Sequence, residues 1–186
     1  GPQMQFGNYG LAFADGVSFW ARVFEGPDYA FPEEQVEIIE NYILEGLCWP
    51  IWKGVMDPSA CGRQLHINGG RGKAYSCAVA LSNMAAMNRP RSVVFRHIAL
   101  QNLQPGLYEN ELVGARYYPR SDFGVYRAKD WYASARMQSE RTIGYEFTNA
   151  ENLLAQFSAD GTIIMMQSGR EYENIFPYWD WRMLPG

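Results

Sequence analysis

Apolar residues in the first half of the chain recur at the three- and four-residue spacing of amphipathic helices. Residues 11–24, rich in Ala, Phe and Trp, form a predicted helix that ends at Gly26 and the proline after it. A second helix is predicted from Pro32, which suits a first helical position and precedes two glutamates that favour a helix N-terminus. Its buried face consists of Val36, Ile39, Ile43 and Leu47. A third helix is predicted over residues 74–87, so this half of the chain is expected to be helical.

A long loop is predicted between the second and third helices. Pro50 should end or kink the second helix, and residues 52–72 carry several glycines and polar side chains. Long ordered loops inside compact domains are usually functional. We therefore expect functional residues in this segment.

The pattern changes to that of β-structure beyond Pro90. Predicted strands, rich in β-branched and aromatic residues, cover residues 92–95, 107–117, 123–137 and 142–147. Asp160-Gly161 predicts a hairpin between residues 156–157 and 162–165, because both positions of a two-residue turn need positive φ. Helices followed by strands predict an α+β fold made of two units, residues 1–90 and 91–186.

Composition excludes several classes of function. The formal net charge of −4 provides no general attraction for nucleic acid, so a polyanionic partner would have to meet local arginine clusters. The three cysteines, Cys48, Cys61 and Cys77, have no metal-ligand spacing and are expected to be small buried residues without a disulfide. No apolar run is long enough to span a membrane, and no signal peptide is visible. We predict no metal, no cofactor and no nucleic-acid partner.

Four segments of the chain resemble polysaccharide lyase family 8, which contains hyaluronate, chondroitin and xanthan lyases. The stretch from Lys129 to Glu146, followed by Asn149-Ala150-Glu151-Asn152, is similar to the start of that family's β-sandwich. The segment that ends in Leu184-Pro185-Gly186 is similar to a later part of the same sandwich. In the helical half, the loop Gln5-Phe6-Gly7-Asn8-Tyr9-Gly10 resembles the catalytic-tyrosine loop, and the loop from Met56 to Arg63 resembles one that holds an active-site arginine.

The resemblance implies a fold, a substrate class and a location. Residues 1–90 would be the end of a helical catalytic domain, an α/α toroid, and residues 91–186 the start of an antiparallel β-sandwich, with both domains truncated. The family's catalytic histidine would fall immediately before Gly1, and a catalytic asparagine further upstream, so the 186-residue chain by itself is expected to be inactive. The partners implied are an acidic polysaccharide and the remainder of the parent chain, and the implied location is secreted or periplasmic.

Lyases of this family cleave uronic-acid polymers by β-elimination. The reaction needs a neutralised carboxylate, a base for the proton beside it and an acid for the departing glycosidic oxygen. A tyrosine can fill both proton roles when a nearby cation stabilises its phenolate. The resemblance therefore assigns Tyr9 as base and acid, Arg63 as the cation, and Glu146 as a residue that braces the catalytic groups.

Three further residues are predicted to bind substrate. Asn8 lies beside Tyr9, and Asn149 matches a family position near the active site. The candidates for stacking against a sugar ring are five tryptophans, Trp49, Trp52, Trp131, Trp179 and Trp181; no spacing singles one out, and we assign Trp52. We expect both histidines, His66 in the loop and His97 in an apolar strand, to be structural.

Two other functions are compatible with the residues. A non-catalytic glycan-binding module would keep the arginines and aromatic residues without the chemistry. A glycoside hydrolase would need paired carboxylates, and Glu33, Glu34 and Glu37 occupy an ordinary helix start with no partner in the pattern.

Overall fold

The computed structural model describes residues 3–26, 28–109, 112–144, 160–180 and 183, which form helices followed by an antiparallel sheet. The α-helices are α1 (Leu11–Val23), α2 (Glu33–Asn41), α3 (Gly69–Ala85) and α4 (Ser92–Leu103). The strands are β1 (Ile51–Trp52), β2 (Val55–Met56), β3 (Gly114–Tyr118), β4 (Phe123–Arg127), β5 (Tyr132–Arg136) and β6 (Thr162–Met166). Short π-helical turns cover Phe6–Gly10 and Tyr42–Leu47, and a 3₁₀ turn covers Pro58–Ala60. The α+β class predicted from the sequence is confirmed.

The three helices predicted in the first half are present. Helix α2 begins at Glu33, with Pro32 as the residue before its first turn, and continues into the π-helical turn that ends at Leu47. The predicted face is buried as expected: Val36, Ile39, Ile43 and Leu47 all lie in the core. Helix α3 begins earlier than predicted, at Gly69, and so takes in the end of the predicted loop.

The strand predicted at residues 92–95 is wrong, because these residues open helix α4. Its buried residues Phe95, Ile98 and Ala99 recur at helical spacing, whereas Val93 is 75% exposed. This packing outweighs the β-propensity of the two valines, which is a weak and context-dependent preference. His97 is therefore helical, and the change from helices to strands falls between Leu103 and Gly114 instead of near residue 90.

The large sheet has the strand order β3-β4-β5-β6, and every pairing is antiparallel. The segment 123–137, predicted as a single strand, is a hairpin of β4 and β5 whose turn is closed by Ala128 N–H donating to Trp131 O at 2.9 Å. Alternate residues of β4, β5 and β6 are buried, as expected for a sheet with one face on the core.

Two predictions concern residues near the last hairpin. Gly161 has a φ of 96°, the positive value predicted for it, whereas residues 156–157 lie outside the described part of the chain. The strand predicted at 142–147 does not form over residues 142–144, and its remainder also lies outside the described residues.

Buried polar side chains join the sheet to the helices. The Arg127 guanidinium donates through Nη1 to the carbonyl oxygens of Cys48 at 3.1 Å and Trp49 at 2.9 Å, and through Nε to that of Leu112 at 2.9 Å. Burial lowers the pKa of Arg127 to about 10, so it stays charged at neutral pH. It thereby satisfies carbonyls at the end of the Tyr42–Leu47 turn.

Helix α1 leaves an aromatic face in solvent. Its exposed large apolar residues are Phe13, Phe19, Trp20 and Val23. On the sheet, Ile163 and Met165 of β6 are also exposed. Within the described ranges, no helix combines the length and apolar character needed to cross a membrane.

Candidate functional site

The structure brings together two loops that are far apart in the sequence, one carrying Tyr9 and the other Arg63. Arg63 Nη1 donates to Tyr9 Oη at 3.2 Å, and its Cζ lies 5.6 Å from the centre of the tyrosine ring. Tyr9 is 52% exposed, whereas Arg63 is only 4% exposed. A buried cation thus supports the hydroxyl of an accessible tyrosine, an arrangement that stabilises a phenolate.

The Tyr9 loop is a tight turn at the entrance to helix α1. Within Phe6–Gly10, Asn8 departs from helical geometry with φ −128° and ψ −105°, and its backbone N–H donates to Gln5 O at 3.2 Å. Gly7 allows close packing on the other loop, because a Cβ at this position would lie 3.1 Å from Cys61 Sγ. The turn therefore fixes the direction in which Tyr9 leaves the backbone.

The Phe6 ring anchors the same turn to its surroundings. It packs edge-on against Tyr42, with ring centres 6.1 Å apart, and against Tyr118 of β3, with ring centres 5.1 Å apart. Such aromatic contacts add to the stability gained from burial. The Tyr9 loop is thus held by both the helical segment and the sheet.

The Arg63 loop begins with a capped 3₁₀ turn. Asp57 caps Pro58–Ala60 by accepting a hydrogen bond from the Ser59 amide at 2.7 Å. Gly62 has a φ of 61°, and a Cβ there would lie 2.6 Å from Gln5 Oε1. Glycine at this position permits both the left-handed backbone and the close contact with the Tyr9 loop.

The Asp57 carboxylate fastens this loop to the sheet. It is fully buried and also accepts hydrogen bonds from the hydroxyls of Ser59, Tyr132 and Ser134, the last two on β5. Burial raises the pKa of Asp57, and the hydrogen bonds from Ser134, Ser59 and Tyr132 oppose that rise. Because several donors from the loop and from β5 converge on one carboxylate, the loop has a defined placement relative to β5.

Lys73 of α3 lies beneath both loops. Its Nζ donates to the Gly7 carbonyl oxygen and, at 2.8 Å, to Gln64 Oε1, next to Arg63. Lys73 is buried, which for lysine requires hydrogen-bonded or charged partners. The helix thereby contacts the Tyr9 loop and the Arg63 loop with one ammonium group.

The other predicted site residues have different positions. Asn8 adjoins Tyr9, and its Nδ2 is buried with no hydrogen-bond partner among the described residues. Trp52 is 1% exposed and donates through Nε1 to Gln167 O at 3.0 Å. Trp52 is thus a core residue with no ring face for a sugar, and the stacking prediction is wrong for this side chain. Glu146 and Asn149 lie outside the described residues.

The two histidines lie outside the Tyr9–Arg63 contact. His66 is exposed in the loop before α3, with Nδ1 3.2 Å from Ile67 O, and it lines a small pocket of about 30 Å³ formed by residues 55–71 and 172–176. His97 Nε2 lies 3.4 Å from Glu109 O. Among the residues that the structure describes, no group of three His, Cys, Asp or Glu side chains is arranged to hold a metal ion. The three cysteines are free and buried.

The glutamates at the start of α2 do not form a carboxylate pair of the hydrolase type. Glu33 accepts hydrogen bonds from Arg89 at 2.8 and 2.9 Å, and Arg89 also donates to the buried Glu40 at 2.6 Å. An arginine between two carboxylates neutralises them. This cluster ties α2 to the segment after α3.

Sequence reasoning missed Asp57 and Lys73, although each leaves a signal. Asp57 precedes a proline, which is typical of a capping residue followed by the first helical position. Lys73 lies one and two helical turns before Cys77 and Leu81, both of which are buried. A lysine on the apolar face of a predicted helix indicates a buried ammonium with a specific partner.

Comparison with known proteins relates this chain to large polysaccharide-degrading enzymes. Residues 113–186 match the family profile described as polysaccharide lyase family 8, super-sandwich domain. The whole chain aligns with chondroitinase AC of Pedobacter heparinus, with 26% identity over 190 residues. This chain spans 27% of the length of that relative.

Solved structures share the fold. A chondroitinase AC lyase studied in complexes with oligosaccharides superposes with a TM-score of 0.86 and 24% identity, over 100% of this chain and 28% of the other. A Paenibacillus xanthan lyase gives a TM-score of 0.84 and 18% identity, over 98% of this chain and 20% of the other. The chondroitin AC lyase of Streptomyces coelicolor A3, in complex with chondroitin sulphate, gives a TM-score of 0.82 and 17% identity, over 98% of this chain and 30% of the other.

Proposed function

We propose that this chain, whose residues 113–186 match the super-sandwich domain of polysaccharide lyase family 8, forms part of an enzyme that cleaves a uronic-acid-containing polysaccharide by β-elimination. The observation that carries the proposal is the hydrogen bond from the buried Arg63 guanidinium to the hydroxyl of the half-exposed Tyr9. It provides a tyrosine that is open to a polymer and has a buried guanidinium within hydrogen-bonding distance of its hydroxyl.

Tyr9 performs both proton transfers in this proposal. Its phenolate takes the proton from the carbon beside the uronate carboxylate. The resulting phenol then donates that proton to the glycosidic oxygen as the bond to the next carbon breaks and a double bond forms in the uronate. One group thus acts first as base and then as acid, and it ends the cycle in its starting state.

Arg63 stabilises the tyrosine in its charged form. Its guanidinium is almost fully buried against Tyr9, so its charge acts mainly on the phenolate and less on the substrate carboxylate. Electrostatic interactions are stronger in such a water-poor position than in solvent. The resemblance assigns Arg63 the same role, that of the cation beside the tyrosine.

The remaining assignments complete the proposed site. The buried Nδ2 of Asn8 is a donor with unused capacity beside Tyr9 and suits an oxygen of the uronate. Glu146 is proposed to brace the catalytic groups, and Asn149 to bind substrate, as in the resemblance. The substrate is proposed to be a chondroitin- or hyaluronate-type glycosaminoglycan or xanthan, met outside the cell or in the periplasm.

The products distinguish elimination from the other two functions. We expect the protein carrying this sequence to release oligosaccharides with an unsaturated uronate, which absorbs in the ultraviolet, from at least one of chondroitin sulphate, hyaluronate and xanthan. Saturated products with new reducing ends would instead indicate hydrolysis. Binding of all three polymers without cleavage would indicate a glycan-binding module.

Replacing Arg63 by Ala is expected to lower kcat by about 10²–10³-fold, the usual cost of losing a preorganised charge-stabilising donor. Polymer binding should change less, because the guanidinium lies behind the tyrosine. The measurement is steady-state formation of unsaturated product together with calorimetric binding. Arg120→Ala, at an exposed arginine, is the matched control and should behave as the unaltered protein. Equal losses of kcat and affinity in Arg63→Ala would contradict a role confined to the phenolate.

A further inference from the structure

Lys73 hydrogen-bonds from the interior to both the Tyr9 turn and the segment that holds Arg63. Its ammonium donates to the Gly7 carbonyl oxygen, two residues before Tyr9, and to Gln64 Oε1, one residue after Arg63. The group is buried and is carried by the 17-residue helix α3, which packs against α1 and α4. Both loops are therefore hydrogen-bonded to the same helix, α3.

We propose that Lys73 is a positioning residue of the elimination reaction, and that its ammonium holds the two loops in the placement where Arg63 reaches the Tyr9 hydroxyl. The inference rests on the proposed function of Tyr9 and Arg63. Lys73 does not itself touch the substrate, because it lies beneath the loops.

The glycine contacts between these loops are less directional than the hydrogen bonds of Lys73. Gly7 packs on Cys61, and Gly62 packs on Gln5. These contacts bring the two backbones close together but do not fix the position of one loop along the other. A charge-assisted hydrogen bond is roughly twice as strong as a neutral one and has a defined direction. Lys73 supplies such bonds to both loops at once, and so restrains their relative sliding.

The charge of Lys73 also reaches the Arg63 loop. Burial raises the pKa of the Cys61 thiol to about 12, and the positive charge of Lys73 opposes that rise. The ammonium thus acts in a water-poor region between the two loops, where its hydrogen bonds are not weakened by competition with solvent.

The test compares variants of Lys73 with a matched variant on the same helix. Lys73→Met keeps most of the length of the side chain but removes both hydrogen bonds. Lys73→Gln keeps a neutral donor. Asn83→Ala is the control, because Asn83 is also a buried polar residue of α3 but bonds to Ser18 and Arg22 of α1, away from the loops.

The expected result is a kcat about 100-fold lower in Lys73→Met, the scale of loss for a reacting group displaced by roughly 1 Å, with KM within about twofold of the unaltered value. Lys73→Gln should lie between Lys73→Met and the unaltered protein. Asn83→Ala should lower the melting temperature without changing kcat or KM.

Two kinds of failure are distinguishable. Absence of unsaturated product from the whole protein that carries this sequence would overturn the proposed function itself. Product formation by that protein, with kcat of both Lys73 variants unchanged, would overturn only the role of Lys73. That role would also be contradicted if Asn83→Ala lowered kcat to the same extent.

Discussion

Turnover of the polysaccharide is expected to fall by about 10²–10⁴-fold when Tyr9 is replaced by Phe, the range typical for loss of a positioned acid or base. The change removes a single hydroxyl and leaves the ring, so the packing of the Phe6–Gly10 turn is nearly conserved. Because that hydroxyl carries both proton transfers in the proposed reaction, its loss should appear in kcat with little change in affinity. Ultraviolet absorbance of unsaturated product and calorimetric binding of uncleaved polymer measure the two quantities.

Tyr29→Phe is the matched control for this experiment. Tyr29 is strongly exposed in the segment between α1 and α2, and the same chemical change there should leave turnover and binding unaltered. Near-normal turnover in Tyr9→Phe would mean that another group is the base, and the assignment of Tyr9 would be lost.

Replacing Asp57 by Ala is expected to lower the free energy of unfolding by at least about 3 kcal/mol, because several buried donors lose their acceptor at once. These donors are the Ser59 amide and the hydroxyls of Ser59, Tyr132 and Ser134. Cleavage should fall as well, since Arg63 follows on the loop that Asp57 caps. Urea denaturation followed by tryptophan fluorescence gives the first quantity, and the product assay gives the second.

Two further substitutions serve as comparisons for Asp57→Ala. Asp57→Asn should lower the free energy of unfolding by less than Asp57→Ala, because the amide oxygen still accepts from the Ser59 N–H and the hydroxyls of β5 can accept from the amide nitrogen. Asp130→Ala, at an exposed carboxylate, should change the free energy of unfolding little. An Asp57→Ala protein as stable as Asp130→Ala would show that the buried carboxylate is not what joins the loop to the sheet.

Local pattern predicted the helices whose apolar residues share one face. Val36, Ile39 and Ile43 are such a set, and their burial against the rest of the helical segment follows directly from their spacing. Helix α4 was missed because two adjacent valines suggested a strand, whereas the spacing of Phe95, Ile98 and Ala99 indicated a helix. In that segment periodicity was the better guide than β-propensity.

The Tyr9–Arg63 contact could not be derived from periodicity. The two residues are 54 positions apart, and each taken alone is an ordinary loop residue. They came from resemblance to a family, and the structure then placed them within hydrogen-bonding distance. Trp52 shows the converse case, since its residue type suits both sugar stacking and a core, and only its surroundings show that it is buried.

The Asp57 carboxylate also bears on the order of folding. Its partners on β5 are 75 and 77 residues further along the chain, so the contact closes a long stretch of backbone. Contacts of this kind require the entropy of loop closure to be lost before their stabilisation is gained, and they form slowly. The helices can assemble from neighbouring segments, whereas the hydrogen bonds that place the Arg63 loop require β5 to have docked. We therefore expect formation of the site to be coupled to the docking of β5.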